Sequence, residues 1–366
     1  MIVSANELKR FTQDIFCKIG CPEEEAGQAA DVLVSADLRG VDSHGVARLS
    51  GYIRLHEKKR LNAAPNISVL HETPSTAVID GDLGLGLVVG PAAMKIAIEK
   101  AKKVGTGWVS VQNSNHYGIA GYHAMMALKE DCIGISLTNA SPLVSPTFSK
   151  ERLLGTNPIA VAIPAKEQPP FVLDMATTTA ANGKLEVLQR KGLSAPSGWL
   201  QDSKGNITTD AKGLIHGGAM RPLGGDRAHG SHKGYALGAV VDILSAVLSG
   251  ANYGPWVPPF VAFIDPAPNP VGKGLGHFFG AMRIDAFREA DEFKSHMDNW
   301  ITRFRDSDSI NDESKVLIPG DPERLMTEKR LKEGIDLIAP VVQELRKLSD
   351  QLGVRWLENL RDDHLI

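Results

Sequence analysis

Cysteine is scarce in this sequence, whose 366 residues include three, Cys17, Cys21 and Cys132. Three cysteines cannot build a disulfide framework, so we expect reduced thiols and a cytoplasmic protein. An excess of charge of one sign is also lacking, because the net charge is -3 and the isoelectric point is near 6.4. This balance gives no reason to expect nucleic acid or a membrane surface as a partner.

Long apolar runs and complete metal-ligand patterns are lacking as well. The most apolar stretch, residues 235–251, contains Asp242 and two serines, so it predicts a buried helix and no membrane span. Residues 1–10 are too polar for a signal peptide. His216, His229 and His232 lack the carboxylate or cysteine that would complete a recognisable metal-binding spacing. We therefore expect a protein without a bound metal and without a membrane partner.

The predicted elements fall into three zones. Residues 1–60 are predicted to be helical, with Ser4 capping the first helix and Pro22 opening the second. Short strands and helices follow, and the end returns to helices. The predicted strands are residues 67–70, 76–80, 108–111, 133–138, 159–163, 171–175, 258–264 and 281–284, and the later helices are 92–104, 122–130, 237–248, 322–332 and 340–352. This order predicts a helical domain of residues 1–74 with 321–366, and an α/β domain of residues 75–320.

The stretch L-R-G-V-D-S-H-G-V-A-R, residues 38–48, concentrates polar side chains before an apolar-periodic run. Asp42 or Ser43 would act as the N-cap of a helix, on which His44 and Arg48 share one face. An arginine can hold a small carboxylate by two hydrogen bonds, and a histidine can move a proton near neutral pH. The spacing alone is equally compatible with a simple cap and two surface charges.

Several glycine- and asparagine-containing segments could bind anions or shape turns. Residues 81–86, G-D-L-G-L-G, lack the G-x-G-x-x-G spacing and the strand–turn–helix context of a dinucleotide site, so a plain loop is expected. Residues 113–118, N-S-N-H-Y-G, are either a hydrogen-bonded turn or part of a site at a strand end. Lys233 before a predicted helix suits a phosphate. The long loop of residues 217–230 is expected to be functional or mobile.

Taken together, the motifs resemble the malate/L-lactate dehydrogenase family of the second type. They occur in the order L-R-G-V-D-S-H-G-V-x-R-L, N-S-N-H-Y-G, G-T-N-P-I-A, D-M-A-T, P-L-G-G, H-K-G-Y and P-G-x-x-E, and they extend from Ser4 to about Leu352. The resemblance implies an α/β (α+β) fold unlike the Rossmann fold. Its central sheet would be largely antiparallel and flanked by helices, in an NAD- or NADP-dependent oxidoreductase that forms a homodimer.

The resemblance also implies roles for particular residues. Ser43 would orient, His44 would carry the proton, and Arg48 would bind the substrate carboxylate. Some family members are assigned His116 as the acid–base instead, so the proton carrier stays open. Thr156 would contact substrate, and Lys184 is expected there too, because it replaces an acid of the family's imine reductase. The cofactor-binding residues would be His116, Tyr117, Gly118, Ile119, Ala120, Asp174, Met175, Ala176, His232, Lys233, Pro319, Gly320 and Asp321.

The sequence thus predicts hydride transfer between NAD, or possibly NADP, and a small 2-hydroxy acid. Malate, oxidised to oxaloacetate, is the first choice of substrate, with His44 as the base. Lactate, ureidoglycolate, sulfolactate and diketogulonate are the alternatives within the family. Two other classes remain open at this point: a cofactor-binding protein without catalysis, and a metal-dependent lyase or hydrolase.

Overall fold

The structure, a computed structural model, describes residues 1–311, 314–358 and 360; the end of the predicted helical domain, residues 359 and 361–366, lies outside them. The helices are α1 (Ala5–Lys18), α2 (Glu23–Leu38), α3 (Leu49–Glu57), α4 (Gly86–Val104), α5 (Ala120–Met125), α6 (Asn182–Lys191), α7 (Ser231–Asp242), α8 (Ala290–Arg305), α9 (Asp321–Glu333) and α10 (Ala339–Leu352). The strands are β1 (Ile2–Val3), β2 (Ser68–Glu72), β3 (Thr76–Gly84), β4 (Thr106–Ser114), β5 (Cys132–Thr138), β6 (Ile159–Ile163), β7 (Phe171–Met175), β8 (Leu200–Gln201), β9 (Ile207–Thr208), β10 (Ala219–Met220), β11 (Leu275–Arg283) and β12 (Ile335–Asp336).

A seven-stranded sheet forms the centre of the molecule, in the order β2-β3-β4-β11-β5-β6-β7. The pair β3–β4 is parallel, and the other neighbours are antiparallel. Helices α4 and α5 cover one face, and the end of α7 with the turn after it covers the other. Alternation of buried and less buried residues along β6 follows the two-residue period of a strand. The predicted sheet, largely antiparallel and flanked by helices, is confirmed.

The two ends of the chain share one apolar core. Strand β1 pairs with β12, and buried side chains of α1, α2 and α3 pack with Val341 and Leu345 of α10. Ser4 caps α1 as predicted, because its hydroxyl accepts from the Glu7 N–H at 3.2 Å. The division into domains at residues 74 and 321 stays a prediction. No helix among the described residues is long and apolar enough to cross a membrane.

The prediction of a helix starting at Asp42 or Ser43 is wrong. Two short 3-10 turns, Asp42–His44 and Val46–Arg48, precede α3, and neither Asp42 nor Ser43 makes a side-chain cap there. Gly45 separates the turns and lies against the Asp37 carboxylate, so closely that a Cβ at Gly45 would meet Oδ1 at 2.0 Å. Asp37 also accepts from the Val46 N–H at 2.9 Å. A contact with α2 therefore replaces the expected helical turn.

Two other helix predictions need correction. Helix α4 begins at Gly86 and carries Pro91 inside its second turn, where the prediction had Pro91 at the start. The apolar stretch predicted as a buried helix forms α7 and a π-helical turn, Ile243–Val247. That stretch is buried on one side only, because Leu237, Val240 and Val247 are 41–52% exposed. Helices α6 and α8, which are mostly polar, were not predicted.

The predicted strand at residues 258–264 is not formed. Arg60 and Arg54 donate instead to the carbonyls of Pro259 and Phe260, which holds this segment as an irregular loop over α3. The expected lack of a strand–turn–helix context at residues 81–86 is also wrong, because the segment joins β3 to α4. It is tightly packed, since a Cβ at Gly86 would meet the Asn115 carbonyl at 2.1 Å. These glycines serve close backbone packing.

Candidate active site

The turns before α3 bring Ser43, His44 and Arg48 together. The Ser43 hydroxyl lies 2.9 Å from His44 Nδ1, and Arg48 Nε donates to the Ser43 carbonyl at 2.5 Å. The Arg48 guanidinium faces both carboxylate oxygens of Glu186 on α6, at 3.3 Å each. Gly183, also on α6, packs against Ser43 so closely that a Cβ would lie 2.2 Å from the serine Cβ. Helix α6 thus closes one side of the cluster.

His116 lies against this cluster from the end of β4. Its ring is stacked on that of His44, with centroids 5.7 Å apart and planes inclined by 19°. The Tyr52 hydroxyl is 2.6 Å from His116 Nδ1, and the Gly118 N–H donates to the same nitrogen at 3.3 Å. Because a backbone N–H can only donate, Nδ1 is an acceptor and the neutral ring carries its proton on Nε2. Phe260 contacts the ring at 4.6 Å between centroids.

Both imidazoles are neutral in this environment. Burial lowers the pKa of His44 to about 4, and the charge of Arg48 adds to the effect. Burial likewise lowers the pKa of His116 well below its usual value, with His44 and Arg48 contributing. Burial raises the pKa of Tyr52, so its hydroxyl stays protonated. The site therefore holds two uncharged imidazoles beside one fixed cation.

Backbone contacts join Thr156, the end of β7 and the start of α7 in one continuous wall. Thr177 donates to the Thr156 carbonyl through its N–H at 2.9 Å and its hydroxyl at 3.1 Å. The Leu223 N–H donates to the Thr177 carbonyl at 3.0 Å, and Gly234 of α7 packs directly on Leu223. Asp174, on β7, accepts from the Gly121 N–H at the start of α5 at 2.8 Å. The segments predicted to bind substrate and cofactor are thus contiguous along this wall.

The predicted cofactor residues differ in whether their side chain or only their backbone is accessible to a ligand. His232 and the exposed Lys233 lie in the first turn of α7, and Met175 and Ala176 are half-buried at the end of β7. Tyr117 is buried, with its ring stacked between His123 and His277, so only its backbone can face a ligand. The backbone of Gly118, Ile119 and Ala120 leads from it into α5.

The start of α9 is already occupied by a carboxylate of the chain itself. Asp321 is buried and pairs with Arg305 at 3.0 Å and Arg324 at 3.3 Å. The Pro319 carbonyl accepts from Val172 of β7 at 2.9 Å, which ties the turn before α9 to the sheet. Asp321 therefore anchors the turn, and Pro319 and Gly320 remain as its outward surface.

Sequence reasoning did not find three residues that contact His116 or Arg48, and the role of Lys184 in substrate binding stays a prediction. Tyr52 and Phe260 contact His116, and Glu186 pairs with Arg48. The side chain of Lys184 is exposed on α6. Tyr52 carried a usable signal, because a buried tyrosine needs a partner for its hydroxyl. Nothing in the sequence indicates the contacts of Glu186 or Phe260.

A sequence model of the malate/L-lactate dehydrogenase family matches residues 3–346. The chain belongs to this family. It is 46% identical to the malate dehydrogenase of Pyrococcus abyssi, over 97% of this chain and 96% of that protein. The L-sulfolactate dehydrogenase of Methanocaldococcus jannaschii is 39% identical, over 97% of this chain and 98% of that protein. The chain is a hydroxyacid dehydrogenase, an oxidoreductase, which confirms the resemblance and sets aside the non-catalytic and the lyase or hydrolase alternatives.

Solved dehydrogenases of the family have the same architecture. The malate dehydrogenase of Pyrococcus horikoshii OT3 superposes with a TM-score of 0.88 at 43% identity, over 98% of this chain and 97% of that chain. The malate dehydrogenase of Entamoeba histolytica superposes with a TM-score of 0.90 at 36% identity, over 97% and 99%. The expected fold class is confirmed over nearly the whole chain.

Family membership implies a nicotinamide cofactor, and the donor groups present fit one. Helix α7 starts with His232 and an exposed Lys233, which places a cation at the positive end of the helix dipole. Such a helix start suits a phosphate. The residues that would hold the cofactor are these two, the backbone from His116 to Ala120, and the end of β7.

Proposed function

We propose that this dehydrogenase oxidises malate to oxaloacetate with NAD, with NADP as the alternative cofactor. The relatives that are 46% identical are named malate dehydrogenases, which favours malate over sulfolactate and the other 2-hydroxy acids. The observation on which the mechanism rests is the tautomer of His116, which carries its proton on Nε2. Its Nδ1 is taken up by Tyr52 and Gly118, so it offers an N–H and no free lone pair.

Arg48 binds the substrate carboxylate next to C2 in this proposal. Its present pair with Glu186 is 3.3 Å long and the Glu186 side chain is 33% exposed, so the pair contributes about 1 kcal/mol or less. Hydrogen bonds to a charged carboxylate in a closed site contribute about 1.5–3 kcal/mol each, so substrate can displace Glu186. Two-point binding fixes the direction of the C2–H bond, and this positioning lowers the barrier.

His44 is the proton acceptor in this proposal. In the tautomer that this role requires, His44 donates its Nδ1–H to the Ser43 oxygen, and its Nε2 lone pair can take the proton of the C2 hydroxyl. His116 donates its Nε2–H to the substrate oxygen and orients it. In the reverse direction the His44 imidazolium returns the proton. The bound nicotinamide supplies or accepts the hydride, and the side chains around it orient substrate and exclude water.

We also propose a cytoplasmic homodimer that uses the apolar face of α7. Leu237, Val240, Ile243, Val247 and Leu248 are 41–57% exposed along one stretch. Contiguous exposed apolar surface of this kind marks a protein–protein contact. Thr156, Asp174, Lys233 and the remaining residues assigned above to substrate and cofactor are part of the same proposal.

Initial-rate assays with a panel of oxoacids test the proposed function. We expect oxaloacetate to give a higher kcat/KM than pyruvate or sulfopyruvate, and NADH to be used at least as well as NADPH.

We expect His44→Ala to abolish turnover while cofactor still binds, and His116→Ala to lower turnover less and to weaken cofactor binding. The ionisation in the pH profile should survive in His116→Ala. If His116→Ala loses that ionisation and His44→Ala keeps it, the two roles are reversed.

A further inference from the structure

Asp42 lies next to the proposed catalytic pair without contacting it. Its carboxylate is bound by Arg330 of α9, which donates from Nη1 to Oδ1 and from Nη2 to Oδ2, the latter at 3.2 Å. The same Nη1 also donates to the backbone carbonyl of Asp37 at the end of α2. The Arg330 side chain is 14% exposed and that of Asp42 is 59% exposed, so the guanidinium is largely enclosed between α2, α9 and the turn that carries His44, while the carboxylate faces solvent.

Residues 42–45, called here the His44 turn, are held at both ends by contacts in which Arg330 takes part. The turn begins at Asp42, which Arg330 binds, and it ends at Gly45, which lies against the Asp37 side chain. The Asp37 carboxylate holds Val46 by a backbone hydrogen bond, and the Asp37 carbonyl is held by Arg330. Because these turns are 3-10 turns outside any α-helix, these contacts take the place of a helical backbone ladder.

A simple surface ion pair does not account for this arrangement. The neighbouring pair on α9, Lys329 with Glu333, is 3.8 Å long with side chains 61% and 64% exposed. Such pairs contribute little. Arg330 instead joins two segments almost 300 residues earlier in the chain, at separations of 293 and 288 residues. It uses the planar fork of a guanidinium, which a lysine cannot reproduce.

We propose that Arg330 is a positioning residue for the dehydrogenase reaction: by binding Asp42 and the Asp37 carbonyl, it holds the His44 turn so that His44 stays stacked on His116. This inference rests on the proposed role of His44. Arg330 itself contacts neither imidazole, so its effect passes through the backbone of residues 42–45. The other end of α9 is fixed to β7 through the Pro319 carbonyl and to α8 through the pair of Asp321 with Arg305, which makes the helix a firm support.

Steady-state kinetics of Arg330→Met test this inference in the full-length protein. Displacing a reacting group by about 1 Å can cost about a hundredfold in rate, so we expect kcat to fall by about tenfold or more. The Kd of the cofactor should change less than about twofold, because Lys233 and its neighbours are untouched. Arg330→Lys should recover part of the loss, since it can still bind one Asp42 oxygen. Added guanidinium at millimolar concentration should raise kcat of Arg330→Ala.

The matched control is Lys329→Met, which removes a cation from the same helix. We expect it to keep the kcat of the original protein. Asp42→Asn should lower kcat in the same direction as Arg330→Met, and the double variant should be no worse than the poorer single variant. An unchanged kcat in Arg330→Met, or a loss that neither lysine nor guanidinium relieves, overturns the positioning role. His44→Ala separates the two ideas, because retained turnover in that variant refutes the proposed role of His44, on which this inference rests, while the oxoacid panel tests the proposed function.

Discussion

At the scale of the residue, Arg48 is the group that we propose to hold the substrate carboxylate. Its guanidinium is directed by the Ser43 carbonyl and rests on Glu186, a partner that substrate can displace. Ser43 is thus engaged twice, by its hydroxyl with His44 and by its carbonyl with Arg48. Ser43 therefore contacts both the proposed carboxylate-binding group and the proposed proton carrier.

Arg48→Lys tests whether Arg48 binds the substrate carboxylate by two parallel hydrogen bonds. A lysine keeps the charge but cannot make two parallel hydrogen bonds, so at least one charge-assisted bond is lost. We expect KM for the oxoacid to rise by about tenfold or more, the equivalent of about 1.5 kcal/mol. The control is Arg288→Lys, which alters an exposed ion pair with Glu292. An unchanged KM in Arg48→Lys would remove Arg48 from the substrate site.

At the scale of the element, α7 has two proposed functions, cofactor binding and dimerisation. Its first turn carries His232 and the cation Lys233, both assigned above to the cofactor, and its later turns expose Val240 and other apolar side chains. Burial of these side chains against a second copy would stabilise the dimer by about 1.5–3 kcal/mol for each large side chain fully covered. A dimer through α7 would therefore support the same helix that holds the cofactor.

Val240→Glu tests the α7 face. A carboxylate there would lose its water on association, so we expect the dimer to dissociate into monomers at micromolar concentration. Light scattering after size-exclusion chromatography measures this. Leu331→Glu is the matched control, because Leu331 is 63% exposed on α9 and lies outside α7. A dimer that persists in Val240→Glu would place the interface on another surface.

At the scale of the whole molecule, a column of buried rings joins the central sheet to the site. His277 of β11 is bound by Ser114 at 2.8 Å and Thr138 at 2.6 Å, and Tyr117 stacks between His277 and His123. Burial lowers the pKa of His277 to about 3 and that of His123 to about 4. Both imidazoles are fully buried and neutral in the folded protein.

These two histidines make stability sensitive to acid. In the unfolded chain a histidine takes up a proton near pH 6.5, whereas in the folded protein these two do so near pH 3 to 4. Stability is therefore complete above pH 6.5 and falls as the pH drops toward 4, by up to about 1.4 kcal/mol per pH unit for each histidine. Urea unfolding between pH 7 and pH 4.5 measures the slope.

Replacing one histidine of the column tests whether these histidines cause the dependence of the free energy of unfolding on pH. We expect His277→Asn to be less stable at neutral pH but to show a smaller loss on acidification. His296→Gln, which changes an exposed histidine of α8, should leave the slope as it is. A free energy of unfolding that does not change between pH 7 and pH 4.5 would contradict the role of the column.

Local patterns in the sequence determined much of the architecture. The predicted bounds of β6 and β7 are confirmed to the residue, and α9 and α10 begin within one residue of their predicted starts. Alternation, caps and prolines are local signals, so they are legible without a partner. The order of the polar motifs was sufficient to identify the family, because each motif is short and contiguous.

Only the tertiary structure decided how the site is assembled. The contact of Arg48 with Glu186 spans 138 residues, that of Tyr52 with His116 spans 64, and that of Arg330 with Asp42 spans 288. The break at Gly45 and the exposed face of α7 are also decided by neighbours distant in the chain. Periodicity reports which residues prefer burial, but it carries no information about which partner buries them. The sequence therefore determined the elements and the family, and packing between distant segments decided the environment of His44 and His116.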